Sequence, residues 1–429
     1  MKYSLIERVE IKGLWGVKNI TTEFDKRVNV FIGANGSSKT TFLNMLEATF
    51  LCDLYVFSSI EFESIEIKFD SGVTSVVRVE KFYIDDSPFV KYTFNNSLEY
   101  EILCSDTGVR SYRSIKYRET ISTIKSELDK LVSVSWLSVN RDNQSGLEYD
   151  RSRDYVEKLR NMVDLKLQDL MKRFIVYQLQ LQSEANKSAN KFKEDTLSLM
   201  LYNEEIDSYK PNDIELFVST DIDSMKKDLY RAFSALEVAR DKSDRIKTHA
   251  QKISDVISKI KAKSKIDLSD VYVLSLINRT FSIIEISKKN EEETEKIFEP
   301  IRKFRKCIRK FMPTKQFEMG ADNEGVLRVL VDGSKGEQVS IPVTSLSSGE
   351  KQLFILLTEV LLQRGMPYIF IADEPELSLH IEWQRLILKV LSELNENVQI
   401  VVATHSPEIA SSFPDNVVNM SNITTYVKD

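Results

Sequence analysis

Cysteine is scarce in this chain of 429 residues, and the sequence carries no membrane-spanning or secretory pattern. The three cysteines, Cys52, Cys104 and Cys307, lie far apart, so they make neither a disulfide framework nor a zinc motif. No apolar run approaches the roughly 20 residues needed to span a bilayer. Met1–Leu5 lacks the apolar core of a secretion signal. We therefore expect a soluble, cytoplasmic protein that does not associate with membranes.

Positive charge is also in short supply, which argues against a protein that coats nucleic acid through bulk charge. The 59 lysines and arginines are outnumbered by 65 aspartates and glutamates, so the net charge is −6. A local basic groove stays open, because Arg302–Lys310 holds six basic residues in nine. This segment is either a solvated helix face balanced by Glu291–Glu293, or a groove for nucleic acid or an acidic protein. The apolar residues at helical spacing beside it are Ile301, Phe304, Ile308 and Phe311.

The middle of the chain lacks helix breakers. Glycine is absent between Gly146 and Gly320, so this third is predicted to consist of long helices. Steps of three and four between apolar residues predict coiled-coil seams on two arms of an antiparallel hairpin, over residues 151 to about 263, reversing near Ser208–Asp213. A compact helical bundle is the alternative. The seam residues are Val163, Leu167, Leu170, Phe174, Tyr177 and Leu181 on one arm and Met225, Leu229, Ala232, Leu236 and Ala239 on the other.

The two ends of the chain have a different pattern from the middle. Alternating polarity in short strands such as Ile65–Phe69 predicts an antiparallel meander within residues 1–150. Near the other end, buried strands at Tyr368–Ala372 and Val398–Ala403 flank a predicted helix, which is an α/β pattern. We therefore predict one α/β domain made from residues 1–150 and 300–429, with residues 151–299 inserted as helices.

The sharpest motif is the segment Gly33–Thr40, which follows the apolar strand Val28–Ile32 and precedes a helical segment. Strand, loop and helix in this order are the context of a phosphate-binding loop, whose backbone N–H groups converge on phosphates. Lys39 would supply charge for the β- and γ-phosphates, and the Thr40 hydroxyl can ligate Mg²⁺. Ser38 replaces the usual second glycine, so a Cβ can crowd the loop. The candidate nucleotide-binding residues here are Gly33, Asn35, Gly36, Ser37, Ser38, Lys39, Thr40 and Thr41.

Two other candidate catalytic segments follow buried strands. Asp373 and Glu374 end the strand that begins at Tyr368, where Asp373 can hold Mg²⁺ through water and Glu374 can polarise an attacking water. An ordinary solvated turn is the alternative for these adjacent acids. His405 follows the strand Val398–Ala403 and could bond a γ-phosphate, although a lone histidine is more often structural.

A fourth segment, Ser345–Gln352, runs into the helical Leu353–Leu362. A Ser-Gly helix start offers free N–H groups and a positive dipole end to an anion. A plain helix cap by Ser347 or Ser348 is the alternative. The candidate binding residues in this segment are Ser347, Gly349 and Glu350.

The order of the four segments resembles the ABC-type ATPase head of the SMC, RecF and break-repair group (the AAA_15 and AAA_21 types). The resemblance covers roughly residues 1–145 and 300–429, and a coiled coil between the first two of its motifs is that group's arrangement. The motifs it identifies are Walker A at Gly33–Thr40, the signature at Leu346–Glu350, Walker B at Ile369–Glu374, the D-loop at Leu377–His380 and the switch histidine at His405.

This resemblance implies an α/β fold: an ABC-ATPase head made of a P-loop sheet and an antiparallel β subdomain, with an inserted antiparallel coiled-coil hairpin. It implies ATP and Mg²⁺, the metal being held by Thr40 and Asp373. In such heads Glu374 would be the catalytic base, and Lys39 and His405 would stabilise charge.

The resemblance also implies self-association. Two heads would close on two Mg·ATP, so that Ser347 of one protomer contacts the γ-phosphate bound by the other, and assemblies beyond the dimer stay open. Gly13–Lys18 matches the position of the group's adenine-side loop. Candidates for the Q-loop are Asn140, Arg141 and Gln144.

Within the group, the short head resembles ATPases of bacterial antiphage defence, namely the PARIS ATPase family (AriA), the Septu ATPase family (PtuA) and the ATPase half of OLD nucleases. Only 24 residues follow His405, too few for a nuclease domain. A separate effector nuclease of Toprim or HNH type, or a toxin, and a phage trigger protein are therefore the expected partners. The alternatives are a DNA-repair or DNA-clamp ATPase of RecF or SMC type, and a scaffold that binds ATP without turnover.

Overall fold

In a computed structural model of the protein, the described residues are 4–70, 75–104, 115–138, 154–204, 221–236, 239–262, 264–318, 328–332 and 337–427. They belong to two compact units. The first combines Met1–Ile175 with Lys303–Asp429, and the second is Val176–Arg302. Both ends of the chain therefore contribute to the first unit.

The secondary structure of the described residues comprises strands and helices numbered here in chain order. The strands are β1 (Ile6–Leu14), β2 (Lys18–Glu23), β3 (Val28–Ile32), β4 (Ser64–Phe69), β5 (Ser75–Ile84), β6 (Ser87–Phe94), β7 (Leu98–Leu103), β8 (Val134–Ser138), β9 (Lys315–Glu318), β10 (Arg328–Asp332), β11 (Gln338–Pro342), β12 (Tyr368–Asp373), β13 (Val398–Ala403), β14 (Val417–Asn419) and β15 (Thr424–Tyr426). The helices are α1 (Lys39–Leu51), α2 (Leu54–Ser59), α3 (Ile115–Leu131), α4 (Asp154–Ser198), α5 (Ile222–Ala235), α6 (Ala239–Lys261), α7 (Leu268–Phe311), α8 (Ser348–Leu362), α9 (Ile381–Leu394), α10 (Pro407–Ser412) and α11 (Met420–Ile423).

A five-stranded parallel sheet forms the centre of the first unit, in the order β14-β3-β13-β12-β8. Its three central strands, β3, β13 and β12, are almost wholly apolar and buried, as expected where both faces of a parallel sheet are covered. Because parallel strands end at the same edge, the residues that follow β3, β12 and β13 meet there. This edge holds the candidate site.

A second sheet of seven strands, in the order β15-β2-β1-β4-β5-β6-β7, is antiparallel. Ile6 in β1 exchanges two hydrogen bonds of 2.8 Å with the side-chain amide of Gln399 in β13, so the two sheets are joined across 393 residues of sequence. A third, three-stranded sheet has the order β11-β10-β9. These sheets and the long helices between them confirm the predicted fold class, an ABC-ATPase head with an inserted helical hairpin.

The second unit is helical, and the hairpin's return arm differs from the predicted one. Ser188 of α4 bonds Asn290 of α7 at 3.0 Å, and Arg279 of α7 donates to the carbonyl of Leu199, so these helices run antiparallel. The segment from Met225 onward, predicted as the return arm, forms α5 and α6, which share one buried cluster with α7. That prediction was wrong because residue spacing identifies an apolar face but not its partner.

The boundary of the second unit also differs from the predicted insertion at 151–299. Leu167 and Phe174, predicted as seam residues, are buried inside the first unit, where the Phe174 ring lies 5.8 Å from that of Phe304. Stepping by three and four suits a helix on a globular core as well as a coiled coil. The predicted boundary at residue 150 and the predicted reversal at Ser208–Asp213 lie outside the described residues.

The basic segment of α7 has one buried face, as its spacing predicts. Lys303 lies 3.4 Å from a carboxylate oxygen of Glu396, and Lys310 pairs with Glu393. The predicted balance by Glu291–Glu293 is therefore wrong for these two lysines. The buried residues of the segment are Ile301, Phe304, Ile308 and Phe311.

Ion pairs join the start of α4 to α8 within the first unit. Lys351 lies 2.7 Å from Asp164, and Lys166 lies 2.6 Å from Glu359, whose side chain is 3% exposed. Arg173 also faces Glu359, at 3.6 Å. A buried carboxylate needs such partners, so α4 and α8 are held in one arrangement. None of the helices in the described part of the chain is long and apolar enough to cross a membrane.

Candidate nucleotide-binding site

The loop between β3 and α1 is closed by its own lysine. Lys39, 6% exposed, donates from Nζ to the carbonyl oxygens of Gly33 at 2.8 Å and Ala34 at 3.2 Å. Gly36 takes a φ of +78° with open space around it, which suits glycine in a tight turn. The loop therefore curls around a lysine ammonium group, and the exposed Asn35 lies at its outer side.

Burial lowers the pKa of Lys39, and the carboxylates of Asp373 and Glu374 oppose that shift. The three groups thus lie close enough to interact electrostatically, although they come from segments over 300 residues apart. An ammonium group beside two carboxylates at a helix start is an arrangement that can bind phosphate and a divalent cation together.

Donors in the loop fit a phosphate. The Ser37 hydroxyl oxygen is buried and has no hydrogen-bond partner among the described residues. A Cβ at Gly33 would lie 2.6 Å from that oxygen, so a side chain there would displace the Ser37 hydroxyl. The first N–H groups of α1, from Lys39 through Thr41, have no partner within the helix by the geometry of a helix start. An anion at this place would satisfy them.

Ser38 accommodates the loop by adopting a left-handed backbone. Its φ is 71°, a conformation that costs an L-residue roughly 1–2 kcal/mol. Its hydroxyl accepts a hydrogen bond of 3.1 Å from Lys18 in β2. The loop therefore closes without the second glycine. Ser38 takes the left-handed backbone conformation at an energetic cost, and Lys18 bonds its hydroxyl.

The acid pair lies at the end of β12, at the same edge of the sheet: Asp373 is the last residue of the strand and Glu374 follows it. Glu374 has a φ of 50°, and its N–H donates to the carbonyl of Ala403 at 2.8 Å. Both acids are half-buried. A left-handed residue that is not glycine, fixed to the neighbouring strand, is the kind of strained position found at functional sites.

The donor set at this edge suits Mg²⁺. No group of three or more histidine, cysteine, aspartate or glutamate side chains with metal-binding geometry occurs in the described part of the chain. Mg²⁺ instead uses few protein ligands, together with water and substrate phosphates. The exposed Thr40 hydroxyl and the Asp373 carboxylate are oxygen ligands of that kind.

The segment Thr404–Ser406, here called the switch loop, follows β13 and contains the exposed His405. One carboxylate oxygen of Glu376 accepts hydrogen bonds from all three residues. The sequence reasoning missed Glu376; the only signal was a third acid two residues after the pair.

The start of α8 is capped by a reciprocal pair. The Ser347 N–H donates to Glu350 at 3.0 Å, and the Glu350 N–H donates to the Ser347 hydroxyl at 3.4 Å. Burial raises the pKa of the Glu350 carboxyl, but hydrogen bonds from Lys315 and Ser347 outweigh it, so the pKa lies below its usual range. The plain-cap alternative thus describes the helix start, and the Ser347 hydroxyl keeps its own proton to donate.

Gly349 packs the signature against the D-loop. A Cβ at this position would lie 2.4 Å from the carbonyl oxygen of Ser378, so a side chain does not fit without backbone movement. Ser378 itself has a φ of 69°. The signature and the segment after Walker B are therefore in direct contact within one chain.

The structure brings together the predicted loop, acid pair and switch histidine, because β3, β13 and β12 are neighbours. The signature segment contacts Ser378, four residues after Glu374. Contact of Ser347 with a second protomer stays a prediction. The Q-loop candidates Asn140, Arg141 and Gln144 lie outside the described residues.

Comparison with known proteins gives a family and distant relatives. The AAA ATPase domain family matches residues 5–410. The chain is 26% identical over 200 residues to the retron Vc95 probable ATPase of Vibrio cholerae serotype O1 biovar El Tor, covering 41% of this chain and 38% of that one. It is 32% identical over 82 residues to the retron Ec83 probable ATPase of Escherichia coli, covering 17% and 15%. The chain thus spans well under half the length of the curated relatives it matches.

Solved structures to which this chain is similar include SMC heads. The Smc head domain with an extended coiled coil, bound to the C-terminal domain of ScpA, from Pyrococcus furiosus aligns over 100% of this chain and 96% of that one, with 16% identity and a TM-score of 0.44. The SMC head domain from Thermotoga maritima aligns over 100% and 99%, with 11% identity and a TM-score of 0.36.

Proposed function

Because this chain belongs to the AAA ATPase domain family, we propose that it hydrolyses Mg·ATP and works as a molecular switch. The observation that carries the proposal is that the parallel sheet brings the loop holding Lys39 and the end of β12, with Asp373 and Glu374, to one edge. Together, a loop that presents backbone N–H groups and one ammonium group and a strand end that presents two carboxylates supply what phosphoryl transfer requires.

Each side chain has a part in the proposed hydrolysis. Thr40 and Asp373 would hold Mg²⁺, which neutralises charge on the phosphate oxygens. Glu374 orients a water and takes its proton as that water bonds to the γ-phosphorus, while the bond to the bridging oxygen of ADP breaks. Lys39 and His405 donate to the γ-phosphate oxygens and stabilise their charge.

The switch would be closure of two heads on two ATP molecules. Ser347 at the tip of α8 is exposed and keeps a proton to donate, which supports a contact to a γ-phosphate in a partner's site. ADP lacks that phosphate, so only ATP would favour the closed pair. The ion pairs between α8 and α4 give a route by which closure would act on the helical insertion.

By resemblance to defence ATPases, we assign the switch to control of a separate effector, a Toprim or HNH nuclease or a toxin, released by a phage signal. Likeness to the PARIS ATPase family stays a prediction, as does an assembly beyond the dimer. Two curated relatives are named as probable ATPases of retrons, and those names are consistent with ATPase activity.

The test of the proposed activity is phosphate release by the purified chain and by Lys39→Ala. We expect the variant to lose at least about a hundredfold in rate, because it removes a donor to the transferred phosphate. Lys26→Ala is the control, since that lysine is 75% exposed and pairs only at the surface with Asp70. Equal rates for the wild type and Lys39→Ala would contradict the assigned site. Absence of hydrolysis in the wild type would favour the scaffold alternative.

A DNA clamp is the second candidate, supported by the basic segment of α7. Arg305, Lys306 and Arg309 are exposed and form no ion pair with any residue that the structure describes. Their spacing of one, three and four residues places them on one side of a helix, as needed to follow a phosphate backbone.

Replacing Arg305 and Lys306 by alanine tests this candidate. If DNA binds there, affinity for a duplex should fall by about tenfold at low salt and the salt slope by about 2, with ATPase activity unchanged. The matched control is alanine at Lys303 and Lys310, which already pair with glutamates. Fluorescence anisotropy over a salt series measures both the affinity for the duplex and its salt slope. Undetectable DNA binding by the wild-type chain would contradict the DNA-clamp function.

A further inference from the structure

Three donors of the switch loop converge on one oxygen of Glu376. Its Oε1 accepts from the Thr404 hydroxyl at 2.5 Å, from the His405 N–H at 3.1 Å and from the Ser406 N–H at 3.2 Å. Charge-assisted hydrogen bonds of this kind are about twice as strong as neutral ones. A single carboxylate thus fixes the backbone on which the switch histidine sits.

A second set of bonds holds the same loop from the other side. The Thr404 hydroxyl accepts from the Ser406 N–H at 2.8 Å, and the Ser406 hydroxyl donates to Gln384 at 2.7 Å. Gln384 in turn donates to the carbonyl of Leu379 in the D-loop at 3.0 Å. Apart from the Thr404–Ser406 bond inside the loop, these side-chain bonds end on the segment after Walker B or on α9, and the Thr404 N–H also donates to the carbonyl of Phe31 in β3 at 3.1 Å.

The imidazole of His405 is exposed and forms no hydrogen bond to another described residue. Its direction therefore depends on the backbone of the loop. The loop has no strand or helix of its own. It is anchored to β3 at Thr404 and to the start of α10 at Ser406, and between these anchors the His405 N–H is held by Glu376.

The other oxygen of Glu376 suggests that this arrangement serves more than stability. Oε2 is buried and has no hydrogen-bond partner among the described residues. Burying a carboxylate oxygen without a partner is unfavourable, and such groups are rare in folded proteins. A carboxylate kept there at this cost is consistent with a functional role.

We infer that Glu376 is a positioning residue, which aims His405 at the γ-phosphate by fixing the switch loop. The inference rests on the proposed function, because it concerns the same hydrolysis. Glu374, two residues earlier, bonds Ala403 through its own N–H, directly before the switch loop. One short segment, Glu374–Glu376, would therefore set both the base and the histidine.

The test measures phosphate release by the full chain carrying Glu376→Ala, alone and with His405→Ala. Alone, the variant should lose roughly 10- to 100-fold in kcat, because a misplaced group loses much of its effect, with KM for ATP changed less than about threefold. In the His405→Ala background it should cost less than about threefold more, since it acts through that histidine. Glu376→Gln, which keeps one acceptor oxygen, should retain more activity than Glu376→Ala. The control is Glu382→Ala, an exposed acid on α9.

Amide hydrogen exchange without nucleotide gives a readout that does not need hydrolysis. The His405 amide should exchange about tenfold faster in Glu376→Ala, because it loses its acceptor, whereas the Ser406 amide keeps the Thr404 hydroxyl as an acceptor and should change less. Unchanged exchange, or a full further loss of kcat in the His405→Ala background, would overturn the inference. If exchange changes but the wild-type chain hydrolyses no ATP, the proposed function fails while the positioning of the loop by Glu376 stands.

Discussion

Glu374→Gln is expected to bind ATP normally but to hydrolyse it about 10²- to 10⁴-fold more slowly than the wild type, the usual loss when a general base is removed. Glutamine has the same shape, and the backbone bond from residue 374 to Ala403 does not involve the side chain. Loss of the negative charge also removes repulsion of the phosphates, so ATP affinity should not fall. Bound ATP should then persist, and closed dimers should accumulate.

Single-turnover hydrolysis and light scattering with and without ATP measure these two effects. Glu382→Gln, the same change at an exposed acid, is the matched control. Hydrolysis at the wild-type rate would show that Glu374 is not the base. Slow hydrolysis with no ATP-dependent rise in molar mass would support the chemical role of Glu374 but contradict the proposed closure of two heads.

Ser347→Arg should abolish ATP-dependent dimers and reduce hydrolysis by at least about a hundredfold, because one donor to the γ-phosphate is replaced by a bulky side chain. Position 347 is exposed at the start of α8, so the isolated head can fold with arginine there. Loss of the cap costs about 1 kcal/mol, which Ser347→Ala measures by itself. ATP binding to the single head should be retained, since Lys39 and its loop are untouched.

Mixing the Ser347→Arg and Lys39→Ala chains gives the sharpest test of a shared site. Neither alone should hydrolyse ATP, but a mixed pair contains one complete site, with Lys39 from one chain and Ser347 from the other. Recovery of roughly a quarter of wild-type activity is expected in an equal mixture of two-fold pairs. If no activity returns, or if Ser347→Arg hydrolyses ATP normally alone, Ser347 does not act across protomers.

The phosphate loop and the residues after β12 and β13 could be predicted because each is a local pattern. An apolar strand followed by Gly33–Lys39, or by Asp373 and Glu374, shows its role within ten residues of sequence. The parallel sheet then brings these strand ends together without further information. The fold class was predictable for the same reason, since runs of buried strands and the glycine-free middle are properties of single segments.

Contacts between distant segments were not predictable in the same way. The apolar face of α4 gave no sign that Phe174 packs near Phe304, or that α7 rather than α5 and α6 is the return arm. A helix face has one periodicity whichever partner covers it. The role of Glu376 and the packing of Gly349 on Ser378 likewise depend on tertiary contacts, which leave no periodic signal in sequence.

The hydrogen bonds between Ile6 and Gln399 have a consequence for how this protein is made. β3 pairs directly with β13 and β14, strands that leave the ribosome only after the whole insertion has been translated. At a translation rate of about 5–20 residues per second, β13 is synthesised on the order of 20 seconds or more after the phosphate-binding loop. During that interval both edges of β3 and the edge of β2 that pairs with β15 are unpaired in the nascent chain, which is when β-strand aggregation is a hazard. A chaperone that shields the first strands during translation would therefore be expected to raise the yield of active protein.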